Sequence, residues 1–309
     1  MESKNYKWDP AHEFVIDAAI ALGRPLLVRG EPGVGKSSLA RAAAEKLKRT
    51  FISEVVTART EPNDLLWQFD GVKRLGDAQI ECALPEAQRD SSRLDKSNYL
   101  IPGALWWAFQ PEQAADFYDR CSGSCYPSLN YNIKNPVNKG GWVVLIDEID
   151  KADSDVPNSL LEAFAEGQFK VPYLDESVSI QDGITDQEKI PNPLIIITTN
   201  EERELPKAFL RRCFVLHMGI PEIEDDAEKW LIERAKAHDA SDDLPLSKIA
   251  KIVLEDRKNS SGRYKPGLGE YLDFVSTFAN KKPSEKMSKK EEGKFFEIIK
   301  SFTLNKDAS

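Results

Sequence analysis

Gly30-Glu31-Pro32-Gly33-Val34-Gly35-Lys36-Ser37 decides the reading of this chain. It fits G-x-x-x-x-G-K-[ST], a glycine-rich turn that leaves successive backbone N–H groups free to surround phosphate oxygens. The pattern carries meaning only between a buried strand and a helix, and both flanks qualify. Pro25-Leu26-Leu27-Val28-Arg29 is a short, mostly apolar run of strand type, and Ser38 to Lys48 places Leu39, Ala40, Ala43, Ala44 and Leu47 at helical spacing. A nucleoside triphosphate is therefore the expected ligand, with Lys36 on its β and γ phosphates and the Ser37 hydroxyl on Mg²⁺.

Outward from the loop, Trp8 to Leu22 reads as a helix opened by Asp9-Pro10. Its start puts Tyr6 and Trp8 either against the nucleotide base or at the edge of the core. Thr50 to Thr57 reads as a second strand. Gly141 to Ile146 is a continuous apolar run of the kind found in the middle of parallel sheets, and it ends in Asp147-Glu148. The carboxyl end of such a strand is where open α/β sheets bind ligands. Asp147 is expected to complete the Mg²⁺ shell, and Glu148 to polarise the attacking water as general base.

A helix with Pro157 in its first turn should stop at Gly167. Leu194 to Thr199 is another buried strand, ending at Asn200, whose amide can orient that water. Phe214 to Met218 is the last strand, preceded by Arg211-Arg212, two guanidinium groups suited to charge on a transferring phosphoryl group. Strands separated by helices imply an α/β fold, a parallel sheet with helices on both faces. From Pro221 the strand signal stops. Ala227 to Ala237, Leu246 to Asp256 and Leu268 to Ala279 read as helices, and an amphipathic piece from Phe295 to Phe302 follows the charged stretch Lys281 to Lys294. The expected division is an α/β nucleotide-binding domain over 1–220 and a small all-α domain over 221–309. Between them in character is Ala58 to Lys139, a mixed segment whose part from Ser122 to Gly140 reads as loop.

Composition narrows the classes. With 51 acidic against 42 basic residues the net charge is −9, which argues against a surface that grips nucleic acid. Four cysteines in 309 residues make no disulfide framework, Met1 to Tyr6 lacks the apolar core of a signal peptide, and no apolar run has membrane-spanning length. A cytoplasmic protein without a membrane partner is expected. Cys121 and Cys125 read as half of a metal site or as two loop thiols; with three histidines and no second pair, a structural metal is not expected.

Taken in order, these residues resemble the AAA+ ATPases, and among them the MoxR-like group. Gly30 to Ser37 matches Walker A, Val143 to Glu148 continuing to Ala152 matches Walker B, Asn200 matches sensor 1, and Leu205 to Cys213 matches the arginine-finger region. Gly23 to Gly30 and Leu160 to Phe164 also look like that group. The resemblance implies a P-loop α/β domain followed by a helical lid, ATP and Mg²⁺ as cofactors, and a homo-oligomeric ring, usually a hexamer, with ATP at subunit interfaces. Gly30, Glu31, Pro32, Gly33, Val34, Gly35, Lys36, Ser37 and Ser38 would then bind nucleotide, with Ser37 and Asp147 on the metal. Lys36, Glu148 and Asn200 would serve catalysis, and Arg211 and Arg212 would act on the neighbour's nucleotide.

At the stretch matching sensor 2 the chain departs from the pattern and reads Arg263-Tyr264-Lys265-Pro266-Gly267, where Lys265 is the candidate, with Arg263 behind it. Asp64 to Gly76 and Phe169 to Ile190 are either client-contacting insertions or ordinary surface loops. The implied function is Mg²⁺-dependent ATP hydrolysis that remodels a partner protein in a chaperone-like way. The alternative is an ATP-gated oligomeric scaffold or switch controlling a partner effector with little turnover. A motor on DNA or RNA is disfavoured by charge, and a GTPase by the lack of a suitably placed N-K-x-D string.

Overall fold

The computed structural model describes residues 6–121, 141–180, 191–260, 265–281 and 289–304. Cys125, the Ser122 to Gly140 stretch, Arg263, Tyr264 and parts of the Phe169 to Ile190 and Lys281 to Lys294 segments lie outside them.

Helix α1 (Pro10–Leu22) leads to strand β1 (Leu26–Arg29), the phosphate-loop sequence and α2 (Lys36–Leu47), then β2 (Thr50–Val55). Next come β3 (Trp67–Phe69), α3 (Gly71–Ala83), β4 (Leu100–Pro102), α4 (Ala104–Phe109) and α5 (Pro111–Cys121). The chain continues through β5 (Trp142–Asp147), α6 (Asp155–Ser159), α7 (Leu161–Glu166), β6 (Gln168–Phe169), β7 (Val178–Ser179), β8 (Leu194–Thr199), α8 (Lys207–Leu210) and β9 (Phe214–His217). Four helices end it: α9 (Glu224–Ala237), α10 (Leu246–Asn259), α11 (Leu268–Lys281) and α12 (Lys289–Thr303).

Five strands form a parallel sheet in the order β2-β5-β8-β1-β9. Val143 pairs with Phe51 on one side and Leu194 on the other, so β5 is an inner strand, and its run from Trp142 to Ile146 is buried throughout. That is the burial an unbroken apolar run predicts, because helices cover both faces of a parallel sheet. Two antiparallel pairs, β3 with β4 and β6 with β7, stand outside it.

By internal contacts the chain divides into two compact units. One is Ala11–Val28 with Ala43–Leu216, and its core gathers Leu27, Ile52, Val144, Ile146, Ile197 and Phe209 together with the aromatics of α4. Trp106 and Trp107 are buried there, Trp107 lying 6.2 Å from Trp142, and the Trp106 indole N–H donates to Gln113 Oε1. The other unit is Met1–Pro10, Arg29–Ala42 and His217–Ser309, whose helices pack through Leu231, Ile249, Val253, Tyr271, Phe274 and Phe296. Among the described residues, no helix is long and apolar enough to cross a membrane.

The expected single helix around Pro157 is two. Ser159 Oγ, at the break, donates to Val156 O at 2.8 Å and Pro62 O at 2.5 Å, a side-chain competition with the backbone that bends short helices. Gly167, at φ 63°, ends the second piece as a left-handed cap.

Candidate functional site

In the unit that holds the phosphate loop, three glycines set the backbone. Gly30, Gly33 and Gly35 take φ of 152°, 77° and 96°, which other residues adopt only with strain. Gly30 has a second reason: a Cβ there would stand 1.9 Å from Met218 O. Val34 anchors the loop by burying its side chain. Lys36, only 6% exposed, folds back over the loop, its Nζ donating to Gly30 O at 2.7 Å and Glu31 O at 2.8 Å. Ser37 and Ser38 open α2. A glycine-wound turn, an inward lysine and a helix N-terminus make a donor set that fits a polyphosphate.

The loop is held to helices of its own unit. A Cβ on Gly33 would lie 3.5 Å from Gly269 N, at the start of α11, where Glu270 Oε2 accepts from Gly267 N. Arg257, near the end of α10, donates to Glu31 Oε2 at 2.6 Å and to Pro266 O at 3.1 Å. Glu31 would otherwise present an uncompensated negative charge beside phosphate, so Arg257 offsets it. Lys265 is exposed; Tyr6 and Trp8 stack edge to face at 5.2 Å, with burial raising the Tyr6 phenol.

In the other unit the β5 and β8 ends assemble an acidic set. Thr198, fully buried, donates its hydroxyl to Asp147 Oδ1 at 2.5 Å and accepts the Glu148 N–H at 2.9 Å. Glu148 sits in the left-handed region at φ 61°, a strained conformation for a non-glycine residue. Its carboxylate accepts from Asn200 Nδ2 at 3.4 Å and from Lys151 Nζ at 2.5 Å, and that contact holds the Lys151 ammonium above its usual range. Asp150, 2% exposed, accepts the N–H groups of Asn200 and Glu202, folding the turn after β8 so that the Asn200 amide reaches Glu148. The Ser37 hydroxyl in the first unit and the Asp147 carboxylate in the second are each, taken singly, an oxygen donor of the kind Mg²⁺ takes.

Arg211 and Arg212 follow α8 in this same unit, Arg211 exposed and Arg212 donating from Nη1 to Ala208 O at 3.0 Å. Next to them, burial pushes the Cys213 thiol up to about 12. Sequence reading gave no role to Thr198, Asp150, Lys151 or Arg257. A hydroxyl directly after the apolar run Leu194 to Ile197 was the available signal for Thr198; Arg257 stands 226 residues from Glu31 and had none.

A family model for the AAA domain (dynein-related subfamily) matches residues 25–213, from the strand before the phosphate loop to the turn with the two arginines. The chain belongs to this AAA family. P-loop ATPases of the AAA+ class bind and hydrolyse nucleotide with Mg²⁺ and commonly form rings. No curated protein matched the sequence. Among solved structures, the chain is similar to RuvB of Thermotoga maritima, a Holliday junction branch migration motor, at 13% identity and TM-score 0.43, over 93% of this chain and 67% of that one. A point variant of the same RuvB gives 16% identity, TM-score 0.43 and the same coverage. A Cytophaga hutchinsonii protein described as a candidate ATPase gives 13% identity and TM-score 0.38, over 94% of this chain and 62% of that one.

Proposed function

We propose that this AAA protein is a Mg²⁺-dependent ATPase whose hydrolysis cycle remodels a partner protein, a cytoplasmic chaperone-like factor of MoxR type working as a ring of identical subunits. Residues 1–220 supply the nucleotide-binding domain and 221–309 the lid. The backbone N–H groups of Gly33 to Ser38 and the Lys36 ammonium bind and orient the phosphates. Ser37 and Asp147 would hold Mg²⁺, which neutralises charge on the β and γ phosphates when bound. Glu148 takes the proton of the attacking water, and the Asn200 amide orients that water. Arg211 and Arg212 stabilise charge on the phosphoryl group of the adjacent subunit's ATP, and Lys265 assists at the phosphates.

The observation that carries this reading is the set around Glu148, where Thr198, Asp150 and Asn200 fix a carboxylate at the end of a buried strand. Its test is Glu148→Gln, which keeps the shape and removes the base. The variant should bind ATP as the wild type does and lose hydrolysis by about a hundredfold or more. Wild-type turnover in that variant overturns the mechanism.

The Lys151 ammonium on Glu148 favours a second reading, an ATP-gated scaffold with little turnover. Control of a partner that survives Glu148→Gln would select it.

A further inference from the structure

Arg24, two residues before β1, spends its guanidinium on one turn of backbone. Nε donates to Arg212 O at 3.0 Å, and Nη2 donates to Arg211 O at 2.7 Å and to Cys213 O at 3.3 Å. Its Cζ stands 4.8 Å from the centre of the Phe214 ring, the next residue of the same turn. Pro25 adds a fourth hydrogen bond, its carbonyl accepting the Phe214 N–H at 2.9 Å. All of these residues belong to one compact unit.

The backbone of α8 is already satisfied within its own turn, Arg211 N–H donating to Lys207 O and Cys213 N–H to Leu210 O, so Arg24 acts on the carbonyls of the three residues that follow α8. A planar guanidinium reaching three successive carbonyls fixes the peptide planes that carry the Arg211 and Arg212 side chains. A lysine cannot do the same, because its donors radiate from a single atom. Stacking on Phe214 holds the fork in plane.

We infer that Arg24 is a positioning residue for the Arg211–Arg212 pair, setting the backbone from which those arginines reach the neighbouring subunit's phosphates. This inference rests on the role proposed above for Arg211 and Arg212. Arg24 touches no reacting atom in it.

The test is a thermodynamic cycle on the full-length protein. Arg24→Gln should lower kcat about tenfold to a hundredfold, the usual cost of misplacing a charge-stabilising group, with KM for ATP and the affinity for a fluorescent ATP analogue unchanged. Added to a protein already carrying Arg211→Ala and Arg212→Ala, the same change should cost nothing more. Arg24→Lys should give an intermediate kcat, and it carries the same cycle if the glutamine variant does not fold. Unchanged kcat in both Arg24 variants overturns the inference, and so does an equal fall in both backgrounds, which marks a general effect on the fold. Wild-type turnover in the Arg211→Ala, Arg212→Ala protein itself refutes the role of the arginine pair instead.

Discussion

Glu31 is an acidic residue inside a loop whose expected ligand is more acidic still, and Arg257 is what makes that tolerable. The pair is partly exposed, 44% and 20% for the two side chains, so its direct worth is about 1 kcal/mol at most. Its effect on an incoming polyphosphate is larger, because removing the guanidinium leaves a bare carboxylate beside the phosphates. Arg257→Ala should therefore weaken ATP-analogue binding about tenfold, and Glu31→Gln in the same protein should recover most of it. Fluorescence titration at two salt concentrations checks this. If the second substitution recovers nothing, charge compensation is not what Arg257 does. No local pattern could have exposed the pair, because it joins positions far apart in the chain. Asp147, Glu148 and Asn200 were legible as strand-end residues because four or more apolar neighbours precede each strand end. Thr198 was hidden because a buried threonine looks like one more β-branched residue until its hydroxyl is seen between Asp147 and the Glu148 N–H.

Among the elements, α3 shows where periodicity misleads. Ala58 to Lys139 reads as a mixed segment, yet Gly71–Ala83 within it is a regular helix. Its apolar residues Val72, Leu75 and Ile80 are 85%, 63% and 64% exposed, while the face turned inward is polar. Lys73 donates to Cys121 O, Arg74 to Leu94 O, Asp77 accepts from the Tyr99 hydroxyl, and buried Glu81 accepts from the Asp90 N–H. The helix is held by polar contacts with other segments rather than by an apolar stripe, so its apolar spacing does not mark it. The parallel sheet was legible for the opposite reason, since β5 and β8 are buried on both faces and read as unbroken apolar runs. Strand β2 carries its own test. Burial, and secondarily the Asp64 carboxylate, raise the Glu54 carboxyl above its ordinary value. The folded chain then binds this proton more tightly than the unfolded chain, so the stability it contributes is full at low pH and is lost as pH rises through the raised value. At neutral pH the charged group is a net cost. Glu54→Gln should raise Tm at about pH 7.5, with the gain shrinking to nothing below about pH 4, where the glutamate is protonated in both states. Thermal melts across that range decide it; a gain that grows toward low pH contradicts the assignment.

For the molecule as a whole, the question is whether one chain can complete its own chemistry. The proposed role sends Arg211 and Arg212 to a neighbour, which makes the interface heterologous and the assembly a ring. Two inactive proteins then test it. A chain with Lys36→Ala cannot hold nucleotide but can still offer its arginines; a chain with Arg211→Ala and Arg212→Ala can hold nucleotide but offers none. The first should not hydrolyse ATP alone, and the second should keep only a slow residual turnover. Mixed at equal ratio and exchanged, a competent lysine should meet a competent arginine pair at about one quarter of the interfaces of a heterologous ring, so turnover should return to about that fraction of wild type. If instead the arginines serve their own subunit, every site in the mixture lacks one partner or the other. Turnover then stays at the level of the inactive proteins at all ratios. Mass measurement of the mixture, with and without nucleotide, shows that subunits have exchanged and so makes a flat result count against the ring mechanism.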